Sequence, residues 1–218
     1  MSRKSEFFIE IGTNGVGKSY QMKKFQKINK RNLVLPSNKI DNTWDDNQEL
    51  KIIEDWKKDP NDYNQKRMKK YFRVPKMQSF KGNKKIFLDF NSKTMFADLF
   101  THDLTSFKNG GLFIDDYKNL IKGHSLKNEV RQLFDNRRHY MLDIFISTHS
   151  FQDLTSELLA FSPWFLIFYT TTPVNKNLLD KINNKKGLLD TIKKVNAMAK
   201  EDIAKGKKPY RYLPFKPA

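Results

Sequence analysis

Glu6-Phe7-Phe8-Ile9-Glu10-Ile11 runs without a break into Gly12-Thr13-Asn14-Gly15-Val16-Gly17-Lys18-Ser19. The first six residues are apolar and β-rich, the next eight have the spacing G-x-x-x-x-G-K-S, and residues 20–29 carry helix formers. A strand opening through a glycine loop into a helix is the layout of a phosphate-binding loop. Glycines let the backbone curl around oxygen atoms, a lysine reaches the β- and γ-phosphates, and a hydroxyl serves Mg²⁺. Gly12, Thr13, Asn14, Gly15, Val16, Gly17, Lys18, Ser19 and the following Tyr20 are therefore the expected nucleotide-binding residues, with ATP and Mg²⁺ as ligands. The helix that starts here aims its free N–H groups and its dipole at the anion.

Working outward, residues 32–36, 85–90, 112–116, 141–147 and 164–170 read as further short apolar strands, with helical patterns at about 92–107, 125–138 and 154–161. Ser125 is the expected N-cap of the second of these helices, and Glu129 lies early in it. Such alternation predicts an α/β fold with a mainly parallel sheet covered by helices on both faces. Residues 39–84 are highly charged, sparse in apolar spacing and interrupted by Pro60 and Pro75, and read as a helix-and-loop insertion. Residues 1–192 are expected to form one domain, and residues 193–218 a basic tail.

The strand at 112–116 ends in Asp115-Asp116. Hydrolysis of a triphosphate needs one carboxylate near Mg²⁺ and usually another acid to polarise water, both at a strand end beside the loop. Asp115 is assigned to the metal together with Ser19, and Asp116 to the water; an isolated Asp pair would otherwise read as a plain polar exit. The strand at 141–147 is preceded by Asn136-Arg137-Arg138-His139-Tyr140 and followed by Thr148-His149, whose side chains can donate to a γ-phosphate. An arginine fork suits phosphate oxygens when a neighbouring subunit presents it, although arginines at a helix end also meet the dipole favourably without further purpose.

The chain has 218 residues, 41 Lys and Arg against 24 Asp and Glu, and a formal charge of +17. That balance attracts polyanions, nucleic acid ahead of an anionic membrane. Lys66, Arg67, Lys69, Lys70, Arg73, Lys76 and Lys81 cluster with Tyr71, Phe72 and Phe80 and with no acid among them. They can pair with phosphates and stack on bases, or form a solvated insertion whose aromatics pack inward. Absence of cysteine removes disulfides and thiolate metal sites, and the four histidines form no His-x-x-x-His pair. No apolar run approaches the ~18 residues of a membrane span, so a soluble, intracellular setting is expected.

The set GTNGVGKS, GGLFIDD and FDNRRHYMLDIFISTHS resembles the HerA/FtsK superfamily of ring-forming motors, and within it the viral genome-packaging ATPases of the poxvirus and tectivirus type. Asn136, Arg138, His139 and Tyr140 match the segment Asn-Gly-Arg-His-Tyr of those proteins, while Arg137 stands in place of the Gly, His149 where Gln is common, and Asp116 where Glu is commoner. The resemblance covers about residues 6–170 and implies an ASCE-type P-loop sheet with the 141–147 strand between the phosphate-loop strand and the two-acid strand. It also implies Arg138 as a finger acting on a neighbouring subunit, a homo-oligomer of hexameric-ring type, viral DNA as substrate, capsid or portal-vertex proteins as partners, and work in the host cytoplasm. Zot-like phage morphogenesis proteins form a nearby branch and supply the alternative of nucleotide-dependent assembly or extrusion without DNA translocation. Those proteins typically continue into a membrane span. No Leu-Ser-Gly-Gly-Gln signature of the ABC type occurs.

Overall fold

In the computed structural model, which describes residues 5–38, 42–58, 67–122 and 125–217, the opening unit is β1 (Phe7–Ile11), the glycine loop and α1 (Lys18–Phe25), followed by a 3-10 turn and β2 (Arg31–Leu35). Next come β3 (Gln48–Glu49), β4 (Ile53–Lys58), β5 (Met68–Arg73) and β6 (Gly82–Lys85). A continuous helical stretch then comprises α2 (Lys93–Asp98), a π turn (Leu99–Asp103) and α3 (Leu104–Ser106), with Ser92 accepting from the Met95 amide as N-cap. Strand β7 (Gly110–Ile114) leads through the small hairpin β8 (Ile121–Lys122) and β9 (Ser125–Leu126) to α4 (Asn128–Asp135), α5 (Arg137–Tyr140) and β10 (Leu142–Thr148). The chain closes with α6 (Ser156–Phe161), β11 (Trp164–Phe168), α7 (Lys176–Leu179), α8 (Lys185–Ala204) and β12 (Tyr212–Phe215).

Among the described residues eight strands form one sheet in the order β12-β11-β1-β10-β7-β2-β6-β3. Every pairing is parallel except β11 with β12. As the resemblance implied, β10 lies between β1 and β7. Strands β7 and β10 are buried at every position, as parallel strands must be when both faces are covered. One face carries Ile9, Leu112 and Ile144 in the larger core with Phe96, Phe100 and Leu133. The α1 face carries a stack of rings across three strands, Phe8 on Phe145 at 5.3 Å and Phe145 on Phe113 at 4.5 Å, with Phe25 of α1 over Phe145 at 5.2 Å.

The expected helical insertion is corrected by the structure. Apart from a 3-10 turn at Asn42–Trp44, its described regular elements are strands, and β4 and β5 form an antiparallel hairpin. Cross-strand charge pairs hold it, Lys70 to Glu54 at 2.8 Å and Arg73 to Asp55 at 2.9 Å, and its base is clamped where the Phe72 and Val74 amides donate to Asp98 and Asp103. Such pairing is tertiary, and it overrides a composition that reads as helical. Pro60 and Lys66 lie outside the described residues.

Other expectations shift for local reasons. The strand expected at 85–90 forms earlier, at Gly82–Lys85, where it pairs with β2. Ser125 does not cap α4: it pairs with Lys122 in the small hairpin, and Lys127 takes the cap position without a side-chain bond. The 193–218 stretch is not a tail. It completes the twenty-residue α8, turns at Gly206 in the left-handed region (φ 68°), and returns as edge strand β12 on β11. Pro214 fits there because an edge strand leaves one side of its backbone without ladder bonds.

Candidate nucleotide site

One rung above the ring stack, the α1 face changes from aromatic to polar. Glu10 is paired with Ser147 across β1 and β10, and Asp115 follows β7 beside Ser147, so two residues beyond Phe8, Phe145 and Phe113 the row reads Glu10, Ser147, Asp115. Strand alternation sets this arrangement, since residues two apart share a face. The glycine loop crosses directly above. Gly15 and Gly17 take φ of 75° and 90°, a region that side chains with a Cβ enter at a cost, and Gly17 is the N-cap of α1 with no side-chain bond to its N–H groups. Gly12 and Thr13 are fixed by backbone bonds to the Thr148 and Tyr169 carbonyls, and Val16 packs under the loop on Leu166 and Phe168.

Asp115 is the best-held carboxylate here. It is 6% exposed and accepts from Ser147 Oγ at 2.7 Å, from Trp44 Nε1 at 3.1 Å and from Ser19 Oγ at 3.1 Å. The hydroxyl and carboxylate expected to share Mg²⁺ thus stand within contact of each other, and hard oxygen donors are what that ion takes. Among the described residues no cluster of three His, Cys, Asp or Glu could hold an ion alone. A Mg²⁺ here would fit by drawing its other ligands from phosphate and water, its usual habit.

Lys18 is 5% exposed and donates to the Gly12 and Thr13 carbonyls at 2.7 and 2.8 Å, folded back onto its own loop. Burial lowers its pKa to about 8, against the opposing pull of Asp115, Glu10 and Asp116. His149 bridges Lys18 and the second acid: Nδ1 lies 3.3 Å from Lys18 Nζ and Nε2 lies 3.7 Å from the Asp116 carboxylate. Each ring nitrogen thus faces a polar group, and the tautomer decides which of the two donates. Asp116 itself sits in the left-handed region (φ 64°, ψ 84°), the kind of strain that collects at functional sites, and its amide donates to Ser147 Oγ. The cleft over these groups measures about 350 Å³ and is lined by Asn14, Gly15, Gly17, Lys18, Ser19, Tyr20, Asp115 and His149, among others.

Two expected members are placed elsewhere. Thr148 faces the opposite side of β10, where its hydroxyl bonds to Asp153 Oδ2 and the Ser150 carbonyl, so Ser147 takes the position beside Asp115. Arg138 is exposed in α5, at the amino end of β10, opposite the end that meets the loop. Its neighbour Arg137 is half-buried, donates to the Phe134 and Phe161 carbonyls and lies over the Phe7 and Phe161 rings. That engagement explains an arginine where glycine was expected.

Sequence reasoning missed Trp44, Ser147 and Glu10. Trp44 lies in a stretch without periodicity, and nothing in the sequence ties it to Asp115. Glu10 was readable as an acid inside an apolar strand. It is fully buried, neither oxygen has a hydrogen-bond partner among the described residues, and its pKa is held well above the usual 4.5, first by burial, then by Asp115, with Lys18 opposing.

The basic cluster is divided. Arg67, Lys69, Lys70 and Arg73 lie on or beside β5, and Lys76 and Lys81 flank the turn before β6. The aromatics pack inward: Phe72 and Phe80 are buried, Phe80 stacks on Phe107 at 5.3 Å, and Tyr71 donates to Asp55. Among the described residues the large hydrophobic side chains that the hairpin exposes are Trp56 and Met68, with Trp56 directly opposite Lys70.

A mostly parallel sheet, a phosphate loop after its first strand and a carboxylate at the end of β7, one strand removed, bonded to the loop's Ser19 hydroxyl together make this the α/β fold of P-loop NTPases. Comparison with solved structures finds proteins of similar fold. The chain is similar to the genome-packaging NTPase B204 of Sulfolobus turreted icosahedral virus 2 in complex with AMP, with a TM-score of 0.61, 16% identity, and 98% of this chain and 93% of that chain covered. The same protein with ATP-gammaS gives 0.60 at 16% identity over 98% and 92%. The DNA-packaging ATPase B204 of Sulfolobus turreted icosahedral virus gives 0.59 at 15% over 100% and 94%. At such identity the likeness is one of fold, and it extends over nearly the whole length of both chains. No family model and no curated protein matches the chain.

Proposed function

We propose that this chain is an ATPase that drives viral DNA into a preformed capsid, working as a ring of identical subunits with the nucleotide between neighbours. The observation that carries this reading is the separation of Arg138 from the phosphate loop of its own chain. The loop, Asp115 and His149 gather at the carboxyl ends of β1, β7 and β10, whereas Arg138 precedes β10. Seven strand residues at about 3.3 Å each set roughly 20 Å between the two ends. An exposed guanidinium there is too far to reach the loop of its own chain, which supports a role at the site of a neighbouring subunit, and a head-to-tail ring brings one surface to the other.

Within one site, Lys18 exchanges the loop carbonyls for the β- and γ-phosphates. Ser19 and Asp115 would hold Mg²⁺, which supplies charge neutralisation on the phosphate oxygens. Trp44 and Ser147 keep the Asp115 carboxylate aimed. Asp116 polarises the attacking water, and His149, placed between Lys18 and Asp116, registers whether a γ-phosphate is present. DNA is engaged by the cationic face of the β4–β5 hairpin, and capsid or portal-vertex proteins dock elsewhere on the ring. The fold likeness to B204 along the full chain supports the packaging setting. No described helix is long and apolar enough to cross a membrane.

Steady-state ATP turnover measured with and without DNA, over a range of protein concentrations, tests the proposal. Stimulation by DNA and a steep dependence on protein concentration are expected. Turnover indifferent to DNA would overturn translocation in favour of a nucleotide-gated assembly role.

A further inference from the structure

The groups described so far grip a triphosphate and leave the nucleoside without a seat. At the mouth of the same cleft two large rings are left in water, Tyr20 at 52% and Tyr210 at 41% exposure. They come from opposite ends of the chain, yet their rings stack with centroids 6.0 Å apart and planes 29° from parallel. Tyr210 also lies on the loop itself, where a Cβ on Gly17 would meet its ring at 2.9 Å. Lys24 lies 4.7 Å over Tyr20, and Lys208 lies 5.7 Å from the centre of Tyr210.

The placement of Tyr210 is built rather than incidental. The turn at Gly206 ends α8, Lys207 donates back to the Asp202 carbonyl at 2.8 Å, and Arg211 pairs with the buried Asp202 carboxylate at 2.7 Å. Strand β12 then ties the segment to the sheet. An aromatic held this firmly while exposed, beside a second ring and a phosphate loop, suits a flat π-ligand. Loop N–H groups cradle the α- and β-phosphates and the lysine reaches the β- and γ-phosphates, so a nucleoside leaves such a loop from the end away from the lysine, and the two tyrosines line the same cleft.

We propose that Tyr20 and Tyr210 form the base subsite, the nucleobase stacking against the tyrosine pair, so that the C-terminal segment is a working part of the nucleotide site. This rests on the nucleotide reading above. Ring faces read no donor or acceptor pattern, so ATP and GTP are bound about equally, and CTP, with its smaller base, more weakly.

Equilibrium binding of ATP, GTP, CTP and inorganic triphosphate to the full chain and to Tyr20→Ala, Tyr210→Ala and Tyr210→Trp tests it. Both alanine variants are expected to weaken ATP and GTP by roughly tenfold or more while leaving inorganic triphosphate unchanged, and Tyr210→Trp to keep the native affinity. Unchanged or tighter ATP binding by Tyr210→Ala would overturn the subsite, and so would an equal loss for inorganic triphosphate, because the ring would then be supporting the loop. Failure of the unaltered chain to bind inorganic triphosphate would instead sink the nucleotide reading, and this subsite with it.

Discussion

At Lys18 burial and electrostatics pull in opposite directions, and the balance has a consequence for ligand binding. Burial holds its pKa near 8, so the free chain loses this proton as pH rises past about 8, whereas gripping a triphosphate requires the ammonium. ATP affinity is therefore expected to fall above about pH 8, toward tenfold per pH unit, with proton uptake on binding. Calorimetry at about pH 9 in buffers of different ionisation enthalpy measures that uptake. Glu10 behaves in the opposite sense. Its folded pKa is raised, so its contribution to stability is fully present below the ordinary value of 4.5 and is lost as pH rises through the folded value. Relative to the native chain, Glu10→Gln is expected to gain in melting temperature as pH increases from 4.5, and melts across that range would show a constant difference if the buried carboxyl were unshifted. The loop, Lys18 and Asp115 were legible at this scale because each rests on a local motif. Ser147 was not separable from Thr148, since only the facing of β10 distinguishes them.

Among the elements, the β4–β5 hairpin depends on groups outside itself. Its base is tied to the helical stretch by the Asp98 and Asp103 carboxylates, and a backbone N–H deprived of such a partner costs about 1–3 kcal/mol. Asp98→Ala is expected to loosen the hairpin locally. Hydrogen exchange of the β5 amides should accelerate while the central strands β1, β7 and β10 keep their protection, and uniform protection throughout would show that the clamp is idle. The hairpin was unreadable in the sequence because residues 39–84 are highly charged and sparse in apolar spacing, and the pairs Glu54–Lys70 and Asp55–Arg73 exist only once the strands meet. Strands β1, β2, β7, β10 and β11 were readable as continuous apolar runs, the mark of strands covered on both faces.

For the whole molecule, the proposed ring makes each nucleotide site a joint property of two subunits. Arg138→Ala is expected to bind ATP normally and to lose roughly 10³-fold or more in turnover, the scale of an arginine finger. Lys18→Ala should be inactive for a different reason. Mixing the two variants restores one intact kind of site, formed by the phosphate loop of the Arg138→Ala subunit and the Arg138 of its Lys18→Ala neighbour, so partial recovery on mixing is expected. No recovery over a range of ratios would place Arg138 outside the site. Arg137, whose guanidinium is spent on the Phe134 and Phe161 carbonyls, should show its loss in stability rather than in turnover.

The sequence by itself determined the phosphate loop, the apolar strands and the two-acid exit, because each is written in the backbone freedom of glycine and in periodicities of a few neighbouring residues. Tertiary structure alone decided that Trp44 and Ser147 converge on Asp115, that Thr148 turns away, that Arg137 is bound while Arg138 is exposed, and that Tyr210 comes to rest on Gly17. Those outcomes depend on the register of strands and segments that lie up to about two hundred residues apart, and no local pattern encodes which residue such a register brings opposite another.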